Sequence, residues 1–107
     1  MDKKSIKKKA QDFVQYLIKT HRLPVERAYL YGSYASGHAG LWSDIDVCIV
    51  SPLFRSEDAV SYLWKKRRSV DVEDMLAPVG FSPEDFSEQT PSPLVHSIIT
   101  TGELLLG

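Results

Sequence analysis

Two aspartates, Asp44 and Asp46, stand two residues apart at the head of the apolar run "SDIDVCIV", and a glycine–serine pair, Gly32-Ser33, precedes them by ten residues. Side chains two apart on a strand share a face, so the two carboxylates project together while Ile45, Val47 and Ile49 point the other way. Two carboxylates a few ångströms apart repel each other. Either one of them takes up a proton, or a divalent cation lies between them and keeps both ionised. Mg²⁺ suits the second arrangement because it binds through one or two carboxylates and completes its octahedron with water and phosphate oxygens. Phosphates need a cradle, and a glycine at a strand-to-loop junction lets backbone N–H groups approach an anion, with the Ser33 hydroxyl as a further donor.

A two-metal site for phosphoryl or nucleotidyl transfer calls for one more acid. The segment "SVDVEDML" reads as a third strand, on which Asp71 and Glu73 share one face and Val70 and Val72 the other. Either acid reaches the metals if that strand neighbours the second. Asp74 falls on the wrong face.

The elements that must position these residues alternate along the chain. Ile6, Ala10, Phe13, Val14, Leu17 and Ile18 recur at helical spacing, which predicts a helix over 3–20 whose lysine-rich first turns project beyond the core. "VERAYLYGS" reads as a strand entering a turn, 32–40 as a tight loop with one helical turn, and 43–50 as the second strand. Ser56, Glu57 and Asp58 open a helix that ends in Lys65, Lys66, Arg67 and Arg68, with acids at its start and bases at its end to suit the dipole. Ser82-Pro83 and Ser92-Pro93 carry cap-plus-first-position signals, the second opening a helix that stops at Gly102, and "ELLLG" reads as a short last strand. The expected fold is α/β (α+β), a small mixed sheet flanked by helices, in one domain over residues 1–107.

Composition sets the outer bounds. With 107 residues there is room for one core and no separate substrate domain, and a net charge of −1 gives no global pull toward nucleic acid or membrane. No run nears the roughly 18 apolar residues that span a bilayer. The single cysteine, Cys48, lies in the apolar run and rules out an internal disulfide, which fits a reducing cytoplasm. Cys48 with His21 and His96 makes no zinc set. The lysines near the start read as a solvated helix end and Lys65 to Arg68 as helix-end charge. Tyr29, Tyr31, Trp42 and Trp64 read as core or partner surface, with Trp42 placed to flank the mouth of a site.

Gly32-Ser33, the ten-residue interval, Asp44-Ile45-Asp46 inside an apolar strand and an acid-bearing segment beyond them resemble the signature of the DNA polymerase β-type nucleotidyltransferase superfamily. The length, the loop "LYGSYASGHA" and the ending "PSPLVHSIITTGELLLG" are similar to its minimal nucleotidyltransferases. That resemblance implies two Mg²⁺ held by Asp44 and Asp46 with a third acid, and the triphosphate of an NTP, ATP by preference, lying against Gly32 and Ser33. It implies transfer of a nucleoside monophosphate to a hydroxyl. The third acid is Asp71 if matched to an aspartate between apolar residues, or Glu73 if matched to an "IEP"-like segment; Asp71 is preferred. Where family loops often carry a basic residue this chain has Ser36, with His38 close by as a substitute phosphate contact. Many small members pair with a HEPN-domain toxin, which they bind or modify with AMP, commonly on tyrosine. A toxin partner and a homo- or hetero-oligomer are therefore expected, with nucleic acid still open as an acceptor. The competing expectation is a non-catalytic antitoxin of the same fold that masks its partner by contact. A phosphohydrolase with a DxD nucleophile fits poorly, because there the acids follow the apolar strand.

Overall fold

The structure is a computed structural model describing residues 2–37 and 43–107. The first helix, α1 (Lys3–His21), is capped by the Asp2 side chain, which accepts from the Ser5 N–H at 2.8 Å. It ends where Arg22 turns left-handed at φ 55°. Its stripe of Ile6, Ala10, Phe13, Val14 and Leu17 is buried along its whole length. The first turn is solvated as expected, and the helix lies on the core from Ile6 onward. Residues 2–5 are exposed, and the Lys3 and Lys7 amines reach the Glu103 carboxylate at 2.9 and 3.5 Å.

After α1 the chain forms β1 (Arg27–Tyr31), a single helical turn α2 (Ser33–Ser36) and β2 (Ile45–Val50). A 3₁₀ turn at Pro52–Arg55 and helix α3 (Ala59–Lys65) follow, the latter capped by Asp58 rather than Ser56. Next come α4 (Ser69–Glu73), β3 (Leu76–Phe81), α5 (Pro93–Thr101) and β4 (Glu103–Leu106). Ser92 caps α5, whereas Ser82-Pro83 begins a turn and no helix. The strands lie in the order β3-β2-β1-β4. β1 is antiparallel to β2 and to β4, while β2 and β3 run parallel. A parallel neighbour requires a crossover, which the 3₁₀ turn, α3 and α4 supply. The expected mixed sheet between helices is the architecture found.

Strand periodicity divides the core in two. Ala28, Leu30, Ile45, Val47 and Ile49 face α1 with Phe13, Leu17 and Leu63 in the larger cluster. Cys48 and Val50 face the other way and pack with Phe86, Val95 and Ile98, flanked by Tyr29, Tyr31, Val79 and Phe81. Each fully buried Leu, Ile or Phe contributes roughly 1.5–3 kcal/mol, so both faces of the sheet are fastened by apolar burial. No helix among the described residues is long and apolar enough to cross a membrane.

One expectation is overturned. The segment 69–76 is not a strand: its first five residues form α4, and the strand begins at Leu76. The period-two pattern of Val70 and Val72 is deceptive, because both valines are exposed on a short helix. Local polar chemistry sets the helix. The buried Asp71 carboxylate accepts from the Arg68 backbone N–H at 2.8 Å and from the Arg68 guanidinium at 2.9 and 3.0 Å, so the third residue of the helix caps its start. Arg68 also donates to Asp12 on α1 at 2.8 Å and lies over the Tyr16 ring at 4.4 Å. Met75, left-handed at φ 60°, ends the turn, and its carbonyl accepts from the Ile45 N–H at 2.9 Å as the chain enters the sheet. β3 is an edge strand, the position where Pro78 is tolerated despite its missing donor.

Asp71→Asn is expected to lower stability by about 2 kcal/mol, the scale of hydrogen bonds to charged groups. Exposed Glu73→Gln is expected to stay within about 0.5 kcal/mol of the parent. Urea midpoints of the two variants check this, and equal midpoints would contradict the structural role of Asp71.

Candidate active site

The site forms where β1 ends and β2 begins. β1 breaks at Gly32, whose φ of 75° and ψ of −148° lie in a region essentially confined to glycine. The same residue touches the next strand. A Cβ built there would overlap Asp46 Oδ2 and would lie 3.1 Å from its Cγ. The glycine bend and the second aspartate, far apart in sequence, are thus in direct van der Waals contact. The absence of a side chain at position 32 is what leaves room for the carboxylate.

Asp46 is half-buried within β2, and Asp44 is exposed just before the strand. Burial, and secondly the negative charge of Asp44, push the Asp46 carboxyl up to about 6. A carboxylate that is costly to ionise alone, beside a second carboxylate, is relieved by a cation. The two acids therefore suit one divalent cation carrying phosphate oxygens, since Mg²⁺ needs only one or two carboxylates from protein.

Register fixes what flanks Asp46. On β1 its partner is Tyr31, and on β3 it is Ala77. Burial, followed by the charges of Asp46 and Cys48, raises the Tyr31 hydroxyl well above its ordinary value, so it stays a neutral donor. Cys48, two residues on along the same face, is pushed up to about 12 by burial against the opposing pull of Arg27, which makes it an inert core thiol.

The expected third acids lie elsewhere. Asp71 is engaged with Arg68 toward α1, which packs on the Ile45–Val47 face, while Asp46 projects from the opposite face. Glu73 is exposed at the end of α4. Asp74 pairs with Lys9 at 2.8 Å. The helix 69–73 and the strand start at Leu76 overturn the expectation that Asp71 or Glu73 faces the aspartate pair from a neighbouring strand. Among the described residues no group of three or more His, Cys, Asp or Glu is arranged to hold a metal ion. Ser33 opens α2 directly after Gly32, and Ser36 is the last residue of that turn. His38 and Trp42 lie outside the described residues. Tyr31 and Ala77 were not singled out for the site by sequence reasoning. Tyr31 was findable from its alternation with Leu30, whereas Ala77 became visible only with the β2–β3 register.

With that geometry in place, comparison with known proteins is informative. The nucleotidyltransferase domain family matches residues 5–101, and the chain belongs to this family. No curated protein matches the sequence. Among solved structures, a candidate nucleotidyltransferase from Sulfolobus solfataricus aligns with a TM-score of 0.65 at 15% identity, over 95% of this chain and 80% of the other. A toxin-antitoxin structure with AMP-PNP aligns with a TM-score of 0.60 at 18% identity, over 91% and 73%. A mutant of the toxin-antitoxin MntA-HpeT aligns at 0.59 and 16% identity, over 91% and 73%. At these identities the likeness is one of fold.

Two outcomes are expected from the site itself. The Asp46 carboxyl titrates near 6 in the folded chain and from an ordinary value of 3.8, so its contribution to stability is complete below about 3.8 and lost as pH rises through about 6. Asp46→Asn, neutral throughout, is expected to raise Tm at pH 7.5 in EDTA and to flatten the fall between pH 4 and 6. Thermal melts across that window check it, and an unchanged profile would contradict the burial of Asp46. Gly32→Ala is expected to cost roughly 1–3 kcal/mol, the range for forced backbone strain, with a further loss from displacing Asp46. An unaltered denaturation midpoint would contradict the close approach.

Proposed function

We propose that this protein is an Mg²⁺-dependent nucleotidyltransferase that moves a nucleoside monophosphate, AMP from ATP, to a hydroxyl of a helical toxin partner. The observation that carries the reading is the contact of Gly32 with Asp46, beside Asp44. In this reading the glycine bend lies against one acid of a pair suited to a cation. Tyrosine on a HEPN-domain toxin is the proposed acceptor, and the chain acts as its antitoxin in the cytoplasm. The toxin-antitoxin character of two structural neighbours supports the partner class.

In this reading Asp44 and Asp46 hold the cation, and Gly32 and Ser33 face the triphosphate, with Ser36 and His38 as further contacts. The cation, when bound, offsets charge on the phosphates and on the departing pyrophosphate. The acceptor oxygen forms a bond to the α-phosphorus, the bond from that phosphorus to the bridging oxygen breaks, and pyrophosphate leaves. Ordering the donor in line with the acceptor is the chain's main contribution, because the transition state demands position and charge balance more than covalent help.

A second reading is favoured by one observation: Ala77, without a carboxylate, stands beside Asp46. The domain then neutralises its partner by contact alone. Incubation with the partner, labelled ATP and Mg²⁺ separates the two. Label on the partner that disappears in Asp44→Asn, with partner binding retained, is the expected result. Retained binding and inhibition without label would overturn the transfer reading in favour of contact.

A further inference from the structure

We propose that the site takes a single divalent cation per bound nucleoside triphosphate, because Ala77 occupies the position from which this chain would otherwise hold a second. The inference rests on Asp44, Asp46 and Gly32 being the nucleotide site and deepens that reading.

Partners in register on neighbouring strands project to the same face, with the strands about 4.8 Å apart. Asp46 is opposite Ala77 on one side and opposite Tyr31 on the other. A carboxylate at position 77 would stand within reach of a cation about 3.5–4 Å from the first, the spacing of paired-metal sites. Position 77 offers a methyl group instead. Among the described residues the nearby acids of the crossover do not make up the loss. Asp71 is held by Arg68, Asp12 by the same guanidinium, and Asp74 by Lys9. Residues 38–42, outside the described part, include no Asp or Glu in sequence. Among the described residues no three-ligand group exists.

Two carboxylates with phosphate oxygens and water satisfy one Mg²⁺. A second ion at that spacing would add two positive charges with no further acid to offset them or fix their place. The single cation belongs on the donor side, where Asp44 and Asp46 adjoin the Gly32 bend. The acceptor hydroxyl then receives no carboxylate from this chain, and its proton passes to solvent as the new oxygen–phosphorus bond forms. Nucleotide holding is thereby separated from acceptor activation.

Equilibrium dialysis with Mn²⁺ and a non-hydrolysable ATP analogue counts both ligands per chain. The wild-type protein is expected to hold one Mn²⁺ for each nucleotide, and Ala77→Asp two. Ala77→Glu serves as the second variant, with a far-UV spectrum to confirm that each is folded. Two Mn²⁺ per nucleotide in the wild type would overturn the inference, as would one in both folded variants. No nucleotide binding by the wild type would instead overturn the site reading on which it rests, so the two failures are distinguishable.

Discussion

An ionised carboxylate half-buried at a strand end, with a second carboxylate two residues before it, is the constraint on which the rest of the arrangement depends. Asp46 cannot turn outward, because β2 pairs on both sides and its register fixes the face. Nor can it withdraw, because Gly32 is packed against its side chain. The folded chain therefore retains an unfavourable charge that ligand binding can relieve. On the proposed reading, that relief is what a cation and its phosphates would supply.

The remainder of the molecule holds this pair still. Apolar side chains fasten both faces of the sheet, α1 and α3 on one and α5 with Phe86 on the other. Arg68 joins α4 to α1 through Asp71, Asp12 and Tyr16, which pins the crossover that delivers β3 beside β2. Polar chemistry in α4 is thus spent on positioning. The consequence reaches the site, since that crossover decides that Ala77, and no acid, is the neighbour of Asp46.

The head of β2 and the glycine after β1 were legible because those two strands have a clean period-two pattern. Asp44 and Asp46 share a face by spacing alone, and a glycine closing an apolar strand signals a bend. Helix α1 and the Ser92-Pro93 start of α5 were readable from stripe and cap. The 69–76 segment was not. Val70 and Val72 alternate with acids as a strand would, whereas the Arg68–Asp71 hydrogen bonds, the ion pair of Arg68 with α1 and a left-handed Met75 make it a helical turn. The true strand carries Pro78 and Gly80, residues that count against a strand unless it is known to be an edge. Which residue faces Asp46 across a parallel ladder depends on crossover length, and no local pattern encodes it.

The most direct test of the account is a backbone-amide NMR titration with Mn²⁺ in the presence of a non-hydrolysable ATP analogue. Paramagnetic broadening is predicted to be strongest at Gly32, Asp44 to Asp46 and Ala77, with weaker effects at Asp71 and along α1. Strongest broadening around Asp71 and Asp74, or none specific to the Gly32 bend, would contradict it.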